Sequence, residues 1–319
     1  MAQEGKPAVE VKVGNSVLDV YQNGQPFFVY NFDNDQAGLY KPYFHPVFGP
    51  NHWPITQNGE FPGTYRGHYW HHGIFIGHRA ISHKTDAGAR TSNFWEERIG
   101  ECGGLAHIGF IMTESGNVGG FQEQIIWRSV DGRDVLQETR TVVVPAPDPK
   151  KPGFRIIDLL LLFRAPNGLV RFEQSPYNLL ACRVINALCP KPQKESYTKQ
   201  YGNLVDFRPL TRFGKLLTSE GQENDEVRGS RAKWCDFSGP IDNVNTGGIA
   251  ILDHPLNPRH PTPWNTLNNM TFMASFTYQE FFELPPEKEL RLRYRILIHP
   301  GTAEEADVEG AWQEFAHRM

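Results

Sequence analysis

The chain alternates apolar and polar residues over short stretches far more often than it repeats them at helical spacing. Val9–Val13 reads apolar, polar, apolar, polar, apolar, the pattern of a half-buried strand. Val17–Tyr21 and Phe27–Tyr30 flank Asn23-Gly24, which predicts a tight hairpin. Gln122–Val130 and Asp134–Val144 predict a second hairpin around Asp131-Gly132. Phe154–Phe163 and Leu169–Gln174 predict a third, around Pro166-Asn167-Gly168. Gly247–Leu252 and Met270–Phe276 read as buried strands. The clearest alternation is Leu290–Ile298, which sends Leu290, Leu292, Tyr294, Ile296 and Ile298 one way and Arg291, Arg293 and Arg295 toward water. Only the C-terminal end reads as a helix. There Thr302 and Glu305 match a capping box, and Val308, Ala311, Trp312 and Phe315 fall on one stripe.

Asn31–Asn58 and Ala80–Ser92 read as loops, and Pro190–Gly229 as a long polar excursion. Many strands, no βαβ rhythm, no repeat of fixed period and no linker predict an all-β protein. The expected architecture is a large antiparallel β-sandwich with long loops and a short C-terminal helix, one domain over residues 1–319.

Composition narrows the function. Of 319 residues, 39% are hydrophobic and 21% charged, enough for a core and against disorder. The net charge of −4 and pI near 6.3 argue against a nucleic-acid partner. The longest apolar run, Ile156–Phe163, is broken by Asp158 and falls far short of the roughly 20 residues of a membrane span. Ala2-Gln3-Glu4 resembles what signal cleavage leaves, so a periplasmic or secreted protein is expected, with the cytoplasm as the alternative. Cys102, Cys182, Cys189 and Cys235 form no CxxC pair. Buried free thiols are expected, with a Cys182–Cys189 bridge as the alternative after export.

Candidate chemistry gathers around histidine. The chain holds 12 histidines, and eight lie between His45 and His107. Gly67–His78 alone carries His68, His71, His72 and His78 beside Tyr69 and Trp70. Imidazole binds metals and moves protons near neutral pH. His68 and His71 are therefore candidate acid or base groups, and His68, His71 and His78 a candidate set for a divalent metal, with no other cofactor expected. If the stretch is extended through Gly73, His68, His72 and His78 share one face. His45, held between Phe44 and Pro46, suits substrate contact.

Asp253, His254, Asn257 and Arg259 end a buried strand and enter a proline-set loop, where they can grip hydroxyls or a carboxylate, or simply satisfy turn amides. Glu138 and Arg140 share a face of one strand, the first as a second proton-transfer candidate, the second as a substrate contact. Trp95 offers a stacking face for a sugar ring.

Several motifs together are family-like. Lys41–Val47, Trp70–His78, Phe94-Trp95, Glu138-Thr139-Arg140, Arg231–Asp236, Gly248–Pro263 and Arg293–Gly301 resemble the PmoA-like family of unknown function. In that pattern a basic residue stands where this chain has His72, and His68, His71 and His78 match better. The resemblance implies a sandwich similar to galactose-mutarotase-like proteins and a carbohydrate ligand or oligosaccharide. The family's methane-oxygenase label conflicts with a chain that has no membrane-spanning run. The expected function is a carbohydrate-active enzyme working by acid–base chemistry: hydrolysis, β-elimination or isomerisation. A metal-dependent enzyme and a non-catalytic glycan-binding module are the alternatives.

Overall fold

The alternating stretches become strands that pair antiparallel throughout. The computed structural model describes residues 6–32, 40–58, 69–85, 88–190, 213–241, 244–267 and 271–317. In chain order the strands are β1 (Val9–Val13), β2 (Val17–Gln22), β3 (Gln25–Asn31), β4 (Tyr43–Val47) and β5 (Ile74–His78). Next come β6 (Ile81–Thr85), β7 (Gly88–Ser92), β8 (Gly104–Glu114), β9 (Val118–Arg128) and β10 (Asp134–Pro145). Then follow β11 (Arg155–Arg164), β12 (Val170–Phe172), β13 (Asn178–Arg183), β14 (Lys215–Thr218) and β15 (Trp234–Pro240). The last are β16 (Thr246–Asp253), β17 (Trp264–Leu267), β18 (Thr271–Ala274), β19 (Phe282–Leu284) and β20 (Glu289–Pro300), before helix α1 (Val308–Ala316).

The first sheet orders these as β1-β2-β3-β4-β5-β13-β18-β17, the second as β14-β15-β16-β20-β11-β10-β9-β8. A third sheet of four strands, β19-β12-β6-β7, adds Ile81, Val170, Phe172 and Leu284 to the same core. The two large sheets face each other across that core. Ile74, Ile76, Leu180 and Phe272 point in from the first, and Leu161, Ile249, Ile251 and Ile296 from the second. The all-β sandwich with one short C-terminal helix is thus the fold.

Local chemistry explains the turns. Asn23 and Gly24 both sit at positive φ, as the β2–β3 turn requires. The capping box forms reciprocally: the Thr302 amide donates to Glu305 Oε2 at 2.8 Å, and the Glu305 amide to Thr302 Oγ1 at 3.2 Å. It closes a turn just ahead of α1, whose own N-cap is Asp307.

Three expectations are corrected. The third hairpin does not form. β11 pairs with β10 and β20, whereas β12 pairs with β6 and β19, so the chain turns a corner at Ala165–Gly168 into another sheet. Ala80–Ser92 is the β6–β7 hairpin rather than a loop, with Ile81 and His83 buried on one face. Arg295 faces away from the core but not toward water. It is 1% exposed, pairs with Asp158 at 2.6 and 2.8 Å, and lies under Phe315 of α1.

The four cysteines are buried free thiols. Within the Pro190–Gly229 excursion, residues 191–212 lie outside the described residues, and Lys215–Thr218 is an edge strand of the second sheet. Among the described residues, no helix is long and apolar enough to cross a membrane.

Candidate functional site

The outer face of the first sheet carries a second, smaller cluster of side chains. Tyr43, Phe75, Ala181 and Met273 project outward from β4, β5, β13 and β18 and pack with Trp95, while Trp70 and Tyr177 lean on them partly exposed. His71 stacks on Phe75 at 5.6 Å and meets the edge of Trp95. Trp95 and His71 are each 2% exposed, so they form the floor, and Trp70 and Tyr177 are partly exposed, with the Arg98 guanidinium over the first ring and that of Arg79 over the second.

Beside this aromatic floor runs a chain of buried charges. The Lys41 ammonium donates to Glu97 Oε1 at 2.5 Å and to the Trp95 carbonyl at 2.9 Å. Glu97 holds His72 Nε2 at 3.0 Å from both carboxylate oxygens. His72 Nδ1 lies 2.5 Å from Asn58 Oδ1, and its ring stacks on Tyr43 at 4.6 Å. Both ring nitrogens of His72 are thus engaged, one by Glu97 and the other by Asn58. Burial alone would raise the Glu97 carboxyl. Lys41 and then His72 reverse that and hold it down at about 2. Burial also pulls the Lys41 ammonium below its usual value, with Glu97 resisting.

His45 stands next to this chain, half-buried. Its Nδ1 is 3.0 Å from Thr56 Oγ1, which also accepts the Val47 amide. Burial first, and neighbouring His72 second, lower His45 to about 4, so it is neutral near pH 7. A neutral imidazole can take a proton from a bound molecule.

The backbone that makes this possible breaks at Gly73. Its φ is +44°, and a Cβ there would lie 2.1 Å from the Phe44 carbonyl, so only glycine lets β5 start against β4. That break overturns the extended reading of Gly67–His78. His71 stacks outward on Phe75, whereas His78 points inward and meets Phe172 edge-on, with Nε2 2.9 Å from Thr277 Oγ1. The two lie on opposite faces of the sheet and cannot share a metal ion. His68 lies outside the described residues. Among the described residues, no group of three or more His, Cys, Asp or Glu is placed to hold a metal ion.

Other expected site residues fall elsewhere. Glu138 and Arg140 lie between the sheets with no exposed surface. Glu138 accepts from Trp127 Nε1 at 2.8 Å and from Arg140 Nε at 2.7 Å. Arg140 in turn donates to the Tyr30 hydroxyl at 2.8 Å, and Tyr30 to Glu123. Their reading as proton-transfer and substrate groups is corrected: both are closed off inside the core, Glu138 bonded at each oxygen and Arg140 through Nε and Nη1.

Asp253, His254, Asn257 and Arg259 build a closed knot at the end of β16. Asp253 accepts from Asn257, His260 and the Thr262 amide at 2.7, 2.7 and 3.0 Å. Asn257 bridges both polar groups of the Arg293 backbone. The Leu256 amide donates to His254 Nδ1 at 3.1 Å, and the His254 ring meets Phe315 of α1. Arg259 donates to the carbonyls of Phe276, Glu280 and Phe281.

This knot anchors the helix, and Trp312 of α1 donates to the Asp253 carbonyl at 2.8 Å. It does not meet the His45–His72 cluster. His72 precedes β5 and His78 closes it, and β5 itself spans about 13 Å from Ile74 to His78. Thr277, the partner of His78, follows Phe276, which accepts from Arg259, so the knot sits beyond the far end of β5. Of the expected residues, the structure therefore unites His45, His71 and Trp95. It adds Glu97, Lys41 and Asn58, which sequence reasoning missed as a site, and His72, which it named in the histidine run without a role of its own. The signals were the acid immediately after Phe94-Trp95-Glu96 and the lysine opening the Lys41–Val47 motif.

A model of a family of unknown function, DUF6807, matches residues 17–313. That match carries no PmoA-like link. No protein of curated function matches the sequence. Among solved structures, a polysaccharide lyase is 9% identical at a TM-score of 0.35, over 94% of this chain and 34% of its own. The GH36 α-galactosidase AgaA of Geobacillus stearothermophilus, solved with raffinose, is 8% identical at 0.38, over 92% and 40%. A galactose mutarotase related enzyme of Lactobacillus acidophilus is 9% identical at 0.35, over 92% and 98%. The chain spans about a third of the lyase's length and two fifths of the galactosidase's. Likeness this remote says nothing of the chemistry at the His72 cluster.

Proposed function

We propose that this chain, which belongs to the DUF6807 family of unknown function, is a carbohydrate-active enzyme whose site is the outer face of the first sheet. The observation that carries the reading is a half-buried His45, held neutral beside the His72–Glu97–Lys41 chain and at the margin of an aromatic floor. Sugar rings have apolar C–H faces and polar edges. Trp70 and Tyr177 supply partly exposed rings for the first, and Asn58 and His45 supply hydrogen-bonding groups for the second.

His45 accepts the proton that leaves the sugar, and the buried His72–Glu97–Lys41 chain beside it fixes the surrounding groups. The scheme serves β-elimination and isomerisation, which both begin with proton removal beside a carbon bearing oxygen, and hydrolysis by an activated water. The closest competing reading is a glycan-binding module without turnover, which would need the aromatic faces but not the charge chain.

The test is a turnover screen of neutral and acidic glycosides with the wild type, His45→Gln and Glu97→Gln. Turnover that falls at least about 100-fold in His45→Gln, with KM little changed, supports the proposal. Binding without product across the panel, unchanged in His45→Gln, makes the chain a module. Full turnover in His45→Gln removes this site.

A further inference from the structure

Three segments of the chain converge: the end of β6, the β9–β10 turn and the corner between β11 and β12. Between them lies a cavity of about 740 Å³, the size that takes a small organic ligand. Val135 and Val170, both nearly fully buried, give it an apolar floor.

Its walls are cationic, with Lys84, Arg128 and Arg133 against the single carboxylate of Asp134 among the lining residues. Arg128 is paired with Asp134 at 2.8 Å. Arg133 lies 3.6 Å from Asp131, which Arg90 also binds at 2.9 Å. Among the described residues, three arginines thus share the carboxylates of Asp131 and Asp134, and Lys84 adds a further cation to the wall. These ion pairs are a third to nearly half exposed, so they are weak and can yield to a ligand's oxyanion, which an arginine fork binds in two-point fashion. At Gly132 and Gly168, both at positive φ, the place of a Cβ is open space, so neither turn crowds the entrance. Thr85 and Asn167 add uncharged polar groups to the wall.

We infer that this cavity is a second binding site, separate from the His45–His72 cluster, for a sugar ring that carries an oxyanion, either a carboxylate or a phosphate ester. The ring lies on the valine floor and the oxyanion meets the arginine and lysine side chains. The inference does not depend on the first site being catalytic.

Calorimetric titration of the full chain with glucuronate, glucose 6-phosphate, glucose and inorganic phosphate tests it. Glucuronate or glucose 6-phosphate is expected to bind at least ten-fold more tightly than both glucose and inorganic phosphate, and the tighter of the two names the oxyanion. The Lys84→Gln/Arg133→Gln double variant, altered only at exposed side chains, is expected to lose that binding at least ten-fold with its Tm unchanged. His45→Gln is expected to keep it. Failure of both anionic sugars to bind overturns the inference. So does glucose or inorganic phosphate binding as tightly, unchanged affinity in the double variant, or loss of affinity in His45→Gln.

Discussion

Two chains of buried charge cross this protein, and they differ in where they end. The core chain runs from Trp127 through Glu138, Arg140 and Tyr30 to Glu123 and His107, linking the second sheet to the first across the sandwich. Each carboxylate oxygen of Glu138 is taken by a protein donor. The outer chain runs from Lys41 through Glu97 to His72 and Asn58, and beside it stands the half-buried His45. Burial of charge is common to both, so burial alone does not mark a site. What separates them is that the outer chain runs beside the half-buried His45 and the partly exposed rings of Trp70 and Tyr177, whereas the core chain comes near the surface at His107. The core chain spends its charge on holding two sheets together.

The sharpest way to break this comparison is to cut each chain. Arg140→Met leaves Glu138 and the Tyr30–Glu123 pair without their cation in the dry core, and is expected to cost about 3–5 kcal/mol in denaturant unfolding. A loss under about 1 kcal/mol would mean the core chain is not structural.

Glu97→Gln cuts the outer chain, and its stability effect depends on pH. In the wild type the Glu97 carboxyl sits at about 2, below its ordinary 4.5, so its contribution is present above about pH 4.5 and is lost as pH falls toward 2. The loss should amount to about 3 kcal/mol across that window and should be missing from the acid limb of Glu97→Gln. An unchanged acid limb would detach Glu97 from Lys41 and His72. Turnover should fall with stability here, whereas Arg140→Met should spare the turnover of whatever fraction stays folded.

Asp253→Ala unties the knot under α1 and is expected to cost about 1–3 kcal/mol while leaving turnover unchanged. A specific loss of turnover in this variant would return the knot to the site.

His45→Gln has the smallest structural effect, under about 1 kcal/mol near neutral pH, yet the largest effect on turnover. Because the His45 ring is held down at about 4, its contribution to stability is present above its ordinary 6.5 and fades as pH falls from there to about 4. Turnover that needs neutral His45 should stay level down to about pH 5 and fall below about pH 4. A turnover limb near 6.5 would show that His45 is not the group.

Much of the sandwich was legible because alternation is local. β1, the β2–β3 turn and β20 all follow from period two and from Asn23-Gly24. What the pattern did not contain is what comes to cover a strand later. Arg295 alternates outward like Arg291, yet α1 closes over it, and that helix starts 13 positions further along. The site failed for the same reason. Lys41 and Glu97 are 56 residues apart and meet only because β4 and the turn after Trp95 converge on one face. The histidine run looked continuous, but Gly73 at φ +44° breaks it, sending His71 and His78 to opposite faces. The Asp253–Arg259 loop has the residue types of a binding corner. Its donors and acceptors are instead spent on its own turns and on the helix.

The most direct test of the central claim is a crystal structure of His45→Gln with a neutral substrate found in the turnover screen. The account predicts a sugar ring against Trp70 and Tyr177, with an oxygen within hydrogen-bond reach of Asn58. A sugar seated at the Asp253–Arg259 knot, with the outer face of the first sheet left bare, would contradict it.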